Sequence, residues 1–189
     1  MRHSVTAVLV ILLGLSVATA TASAEPARPG VYLSEDTIFG RPVTRGGLHF
    51  QVAFGFGGGP DSVGVFHAME LGWTLSGGTT LGMIHSFIQN KDVLSDRGGP
   101  DLFGGWMFLY KVPLFYPELV FKAALGPGGT HDQSDGITAN WGLGWLYGLD
   151  LHLPSFRTSG PTLSLVALHA VAQGAHHVGF SLGLGYTFF

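Results

Sequence analysis

Histidine is the residue type in this sequence that could carry acid–base or metal chemistry, because nine histidines are present and cysteine is absent. His85 precedes Ser86, and a serine–histidine pair is the core of many hydrolases. Adjacent residues of a strand point to opposite faces, so these two side chains could not pair directly. His131, His176 and His177 fall in predicted loops, whereas a metal site needs three or four converging ligands. We therefore predict no catalytic residues, no metal site and no cofactor.

Charged side chains inside otherwise apolar segments form a second set of chemically active residues. Glu70, Glu118, Lys122 and Asp150 each lie on the polar face of a segment in which apolar and polar residues alternate. Unpaired charge in a closed interior is costly, so mixed signs there predict a mutually paired cluster. The predicted cluster comprises His49, Glu70, Lys111, Glu118, Lys122, Asp150 and His152.

The elements that must position these residues are strands, because the hydrophobic period from Gly47 onward is two. Polar connections at residues 89–101 and 127–138 are the longest between segments. Eight segments of about ten residues match the 9–11 that a tilted strand needs to cross a bilayer. The predicted strands are 48–56, 63–75, 79–88, 102–112, 117–126, 140–152, 161–171 and 177–189.

The composition favours a membrane barrel over a soluble one. Charged residues make up 11% of the chain, against about 25% in ordinary soluble domains, and the mean hydropathy is +0.35. Beyond the N-terminal region, no apolar run reaches the length of a transmembrane helix. The predicted fold is therefore all-β, an eight-stranded antiparallel up-and-down transmembrane barrel. The net charge of −3 and the lack of a basic patch predict no nucleic-acid partner.

The N-terminal region predicts export. Arg2 precedes an apolar run at residues 7–17, and Ala22-Ser23-Ala24 forms a small-residue cleavage site. We predict a cleaved signal peptide at residues 1–24, with an uncleaved anchor as the alternative. Residues 25–46 are then a periplasmic lead-in, and residues 47–189 form the barrel. An even strand number places both chain termini on the same side of the membrane, and the short turns on that side predict that it is the periplasm.

Two features of the barrel interior leave alternatives open. The polar cluster could be a gate or proton path, or a structural plug, and we favour the plug because eight strands enclose just enough space for side chains. The outer half of the interior could be filled by Phe66 and Phe103, or could hold a small apolar ligand. Small residues predicted to line that half are Gly55, Gly64, Ala68, Gly105, Ala124, Gly142, Gly144 and Gly179.

Aromatic residues lie near the ends of the predicted lipid-facing rows, where amphipathic rings favour the headgroup level. This arrangement predicts an aromatic belt at each interface. The predicted belt residues are Trp73, Trp106, Tyr110, Trp141, Tyr186 and Phe188.

The C-terminal segment ends in Tyr186-Thr187-Phe188-Phe189. Together with the eight segments, this aromatic-x-aromatic ending resembles the small outer-membrane barrels of the OmpA-domain and OmpX type. The resemblance implies a location in the cell outer membrane and an assembly signal at Tyr186, Phe188 and Phe189 that the barrel-assembly machinery reads. The alternation predicts that Phe189 points inward, so it stays open whether Phe188 or Phe189 is the terminal aromatic residue of this signal.

The resemblance transfers no catalytic motif, and members of the family serve in adhesion, membrane integrity, solute passage and lipid A modification. We expect a monomer with a structural or surface-interaction role, whose partners are outer-membrane lipids and lipopolysaccharide. A barrel that binds a lipid or small apolar ligand is one alternative. A lipid A deacylase-like hydrolase is another, but the histidine and serine two residues apart in those enzymes are missing here.

Overall fold

A computed structural model describes residues 47–59, 62–75, 78–90, 100–132, 138–153 and 159–188. The predicted signal peptide, the predicted lead-in and Phe189 lie outside these residues. Each described strand pairs antiparallel with the next, and β1 closes onto β8 from Phe50 opposite Phe188 to Gly58 opposite Phe180. The strands are β1 Gly47–Gly58, β2 Gly64–Thr74, β3 Thr80–Ile88, β4 Asp101–Pro113, β5 Leu119–Asp132, β6 Thr138–His152, β7 Ser159–Ala172 and β8 Ala175–Phe188.

The prediction of a closed eight-stranded antiparallel barrel is thus confirmed. The alternating sequence gives the strands, and closure of the sheet removes the edges that an open sheet would expose. Among the residues that the structure describes, no helix has the length and apolarity needed to cross a bilayer. We call the end of the barrel where β1 begins and β8 finishes the terminal end. The opposite end is the far end.

The predicted long loop at residues 127–138 is wrong, because β5 runs to Asp132 and β6 starts at Thr138. Pro127 and the glycines after it suggested a turn. Gly128 instead pairs with Gly142, and a Cβ on Gly128 would lie 2.8 Å from the Cα of Gly144. Glycine here permits close backbone packing within the barrel wall rather than a turn.

The β7–β8 connection is a two-residue turn rather than the longer connection expected. Gln173 has a φ of 52° and Gly174 a φ of 78°, as a type I′ hairpin requires at both central residues. The Gln173 side chain donates a hydrogen bond of 2.5 Å to Asn140 Oδ1. His131, His176 and His177 therefore lie in strands β5 and β8, so their predicted positions in loops are wrong.

The two faces of the sheet differ in the way a membrane barrel requires. Large apolar side chains are exposed on the outside, with Phe108 at 74% and Leu184 at 64%. Polar and charged side chains are buried inside, and Lys122 and Asp150 are both fully buried. A soluble barrel would reverse this arrangement, because burial of apolar surface away from water would stabilise it.

Candidate functional site

Two lysines and two carboxylates form a ring of ion pairs inside the barrel. Lys111 Nζ lies 2.7 Å from Glu70 Oε2 and 2.8 Å from Asp150 Oδ2. Lys122 Nζ lies 2.9 Å from Glu70 Oε1 and 2.7 Å from Asp150 Oδ1. Each lysine therefore bridges both carboxylates, and each carboxylate binds both lysines. We call Glu70, Lys111, Lys122 and Asp150 the ion-pair ring.

The strand register explains why the ring alternates in sign. Lys111 on β4 lies directly opposite Lys122 on β5, a pairing that would be destabilising for two isolated like charges. Glu70 on β2 and Asp150 on β6 approach from either side and separate the two ammonium groups. On β3, which lies between β2 and β4, a Cβ on Gly82 would clash with the Leu71 carbonyl oxygen, so glycine permits close packing of β2 and β3 there.

Hydrogen bonds from neighbouring strands satisfy the remaining positions around the ring. Gln51 Oε1 accepts from Lys111 Nζ at 3.0 Å and from Thr187 Oγ1 at 2.9 Å, while Gln51 Nε2 donates to Asp150 at 3.3 Å. Ser164 donates to Asp150 and lies 3.3 Å from Lys122 Nζ. Such additional hydrogen bonds are needed for Coulomb attraction to offset the desolvation of buried ions.

The two predicted histidines of the cluster lie beside the ring. His49 Nε2 is 3.3 Å from Glu70 Oε2 and 3.5 Å from Lys111 Nζ. His152 Nδ1 lies 3.1 Å from Thr162 Oγ1, which in turn lies 2.7 Å from Thr187 Oγ1. A continuous polar network thus joins His152 to the ring through these threonines and Gln51.

Glu118 is the predicted cluster residue that the structure does not bring into this network. It lies in the turn before β5 rather than in a strand, so its predicted strand position is wrong. Its side chain is 1% exposed, and neither carboxylate oxygen has a hydrogen-bond partner among the described residues. Its carbonyl oxygen accepts from the backbone N–H of His152 at 2.9 Å.

The predicted cluster omits four residues that support the ring: Gln51, Thr162, Ser164 and Thr187. Thr162 and Ser164 share one face of β7, and their spacing of two was a usable signal. Neutral hydroxyl groups give a weaker sequence signal than charges within an apolar strand. In a lumen of mixed charges, however, they supply the hydrogen bonds that the ions need.

Apolar side chains occupy the interior between the ring and the far end. A Cβ built on Gly183 would lie 3.1 Å from the Phe66 ring, and one on Gly179 would lie 2.7 Å from Leu102 Cδ1. The small residues therefore accommodate large neighbours. We call the fully buried large members of this region the apolar layer: Phe66, Ile84, Ile88, Leu102, Met107 and Leu168.

Phe103 does not belong to this layer: it lies on the outward face of β4, where neighbouring side chains leave it only 9% exposed, so its predicted inward position is wrong. It makes an edge-on contact with Trp141, with ring centroids 4.8 Å apart, and Trp141 is 63% exposed on the outer surface. The β4–β5 register shifts between Gly104 and Phe108, so the side-chain parity changes along β4. An irregularity of this kind reverses the face of every residue on one side of it.

The serine–histidine arrangement considered from the sequence finds no geometric support. Ser86 is fully buried and faces the interior. His85 lies on the outer surface, stacked on His67 with centroids 5.7 Å apart, and its ring is 5.9 Å from that of Trp106. Within the described ranges, no group of three or more His, Asp or Glu side chains is placed to hold a metal ion.

All six predicted belt residues are at least partly exposed on the outside of the barrel. Trp73, Trp106, Trp141 and Phe188 are exposed, with values from 43% for Trp106 to 63% for Trp141. Tyr110 and Tyr186 are partly exposed. Tyr186 OH lies 3.2 Å from Ser159 Oγ, so its polar tip has a partner near the terminal end.

Several solved structures resemble this barrel. The N-terminal β-barrel domain of OprF from Pseudomonas aeruginosa is 13% identical, with a TM-score of 0.51 over 76% of this chain and 98% of that chain. Neisserial surface protein A is 11% identical, with a TM-score of 0.50 over 75% of this chain and 94% of that one. No protein-family model matches the sequence, and no curated protein matches it. At these identities the likeness establishes the fold alone.

Proposed function

We propose that this chain, which has the fold of the small eight-stranded outer-membrane barrels, serves a structural or surface-interaction role in a Gram-negative outer membrane, with a closed lumen. The ion-pair ring is the observation that carries this proposal. Its four side chains come from four strands and meet inside the barrel, with distances of 2.7 to 2.9 Å between opposite charges.

The ring is suited to closing the lumen rather than conducting ions. Two lysines balance two carboxylates, so a passing ion of either sign meets no net opposite charge in the ring. Each ammonium group already has two carboxylate partners, and Gln51 and Ser164 bind the ring from the sides. An ion could pass only by breaking these contacts, which would leave a buried charge without its partner.

The apolar layer gives a second reason to expect a closed lumen. Phe66, Ile88 and Met107 are fully buried in the region where a ligand cavity would have to lie. This filling favours the structural role over a binder of small apolar ligands. The separation of Ser86 from His85 likewise favours a non-enzymatic role over a lipid A hydrolase.

The exposed apolar side chains of the outer surface favour a barrel surrounded by lipid. Phe108 and Phe56, exposed at 74% and 73%, would face water in a soluble protein. Contiguous apolar surface of this extent indicates contact with a membrane or another protein. We propose that the partners are outer-membrane lipids and lipopolysaccharide, and that a cleaved signal peptide and the barrel-assembly machinery bring the chain there as a monomer.

The wild-type protein is expected to show no stepwise conductance in a planar lipid bilayer, because the ring and the apolar layer both obstruct the lumen. The double variant Lys122→Ala/Asp150→Ala is expected to stay closed too, since the apolar layer remains. Single-channel recording of refolded protein checks this, with a general porin as the positive control. Reproducible ohmic steps from the wild-type protein would contradict the closed lumen.

A further inference from the structure

Two histidines converge on the outer surface at the far end of the barrel. His169 lies on β7 and His176 on β8, on either side of the tight turn at Gln173 and Gly174. His169 Nε2 is 3.2 Å from His176 Nδ1, and the ring centroids are 5.4 Å apart at an angle of 59°. The two-residue turn restricts how far the strands can separate, so this approach is built into the hairpin.

The distance between these two nitrogens matches the distance between two imidazole nitrogens that bind the same metal ion. Imidazole nitrogens bind Zn²⁺ at about 2.0–2.1 Å. Two such ligands at an angle between about 90° and 110° are then about 2.9–3.4 Å apart, and the observed 3.2 Å lies within that range. The rings are tilted rather than stacked, and without a metal ion the contact is an N–H···N hydrogen bond. A change of tautomer in the donor ring would free both nitrogens to bind one ion.

The other outer histidine pair lacks this geometry. His67 and His85 stack at 19° with centroids 5.7 Å apart, so their ring planes are nearly parallel. Nearly parallel stacked rings direct their nitrogen lone pairs side by side rather than toward a common point. His67 and His85 therefore provide an internal control of the same residue type on the same surface.

The level of the pair on the barrel makes it accessible. His176 is exposed and lies 12 residues along β8 from Phe188. With a rise of about 3.3 Å per residue and a tilt of about 40°, this places it about 30 Å along the axis from Phe188, beyond an apolar band of about 25 Å. An ion in the headgroup region could therefore reach it from water.

We propose that His169 and His176 form a binding site for a divalent cation of the late first-row transition series. Imidazole suits Cu²⁺, Ni²⁺ and Zn²⁺, and Cu²⁺ ranks highest among divalent ions at such a site. Two protein ligands leave the other coordination positions to water or to oxygen atoms from the surroundings. The site is consequently one for an exchangeable ion rather than a structural one.

Tryptophan fluorescence provides a local test of this site, because each histidine pair has its own tryptophan. The Trp145 ring centroid lies 3.9 Å from that of His169, whereas Trp106 is 5.9 Å from His85. Cu²⁺ quenches a nearby indole. The refolded full chain would be titrated with CuCl₂ in detergent micelles. The full chain retains residues 1–24, so every protein would carry His3→Ala to remove a further copper ligand.

We expect saturable quenching at one equivalent of Cu²⁺. His169→Ala and His176→Ala should each raise the half-saturating copper concentration at least tenfold, and Trp145→Phe should remove most of the quenched signal. His67→Ala and His85→Ala should leave the titration unchanged, as should Trp106→Phe. Heat-modifiable gel mobility confirms that each variant is folded. The proposal is overturned if His169→Ala and His176→Ala titrate like the parent, or if the quenching follows His85 and Trp106 instead.

Discussion

Replacing Glu70 with glutamine is expected to lower the free energy of unfolding by about 3–5 kcal/mol, the cost of breaking a buried ion pair by removing one partner. Glu70 binds both Lys111 and Lys122, so its loss leaves Asp150 as the remaining carboxylate for two buried ammonium groups. Urea unfolding of the protein in lipid vesicles measures the difference. Asp150 contacts both lysines, but its single negative charge cannot balance two ammonium groups.

Glu118→Gln is the matched control for this substitution. Both carboxylates are 1% exposed, and the chemical change is identical. Neither carboxylate oxygen of Glu118 has a hydrogen-bond partner within the described residues, so neutralising it removes no observed ion pair and should not lower the free energy of unfolding. Equal effects of Glu70→Gln and Glu118→Gln would contradict the importance of the ring.

A double variant distinguishes the cost of leaving a buried charge without its partner from the cost of burying the charges at all. Glu70→Met/Lys122→Met removes one charge of each sign and leaves the 2.8 Å pair between Lys111 and Asp150. Apolar replacement of a buried ion pair is often neutral or stabilising. The double variant should therefore be more stable than Glu70→Gln, although it changes more residues.

Leu182→Arg is expected to destabilise the folded protein by about 2–4 kcal/mol in a bilayer, the cost of a charge facing lipid near the midplane. Leu182 is 53% exposed on β8, about halfway along the outward row from Phe188 to His176. In a soluble protein, an exposed position of this kind would tolerate arginine within about 0.5 kcal/mol. Unfolding in vesicles again provides the measurement.

Leu48→Arg is the control for depth. Leu48 is 60% exposed, but it is the second residue of β1 and lies at the terminal end. The cost of a charge falls to about 0–1 kcal/mol near the interface. A cost at Leu182 no greater than that at Leu48 would argue against lipid at the middle of the outer surface.

The strands and the faces of most of them could be predicted from the sequence, because a period of two is a local property. In β1 and β8 the alternation is strict, and no irregularity interrupts the register between them. In β4 the alternation predicts Phe103 inside, whereas its side chain lies buried on the outward face, since the shifted register between Gly104 and Phe108 changes the parity.

The pairing within the ring could not be predicted from the sequence, although its members could. Which lysine meets which carboxylate depends on the stagger of the strands around the barrel, a property of closure rather than of any one segment. The turn position of Glu118 shows the same limit. Its parity matched the polar face of the predicted fifth strand, yet β5 begins one residue later, at Leu119.

Fractionation of cells that express the full chain, followed by gel electrophoresis with and without heating, tests the central claim most directly. A closed membrane barrel should be found in the detergent-resistant outer-membrane fraction. The unheated sample should migrate faster than the boiled one, because the hydrogen-bonded barrel stays compact in detergent. Recovery of the protein in the soluble periplasmic fraction, with identical mobility before and after boiling, would contradict the account.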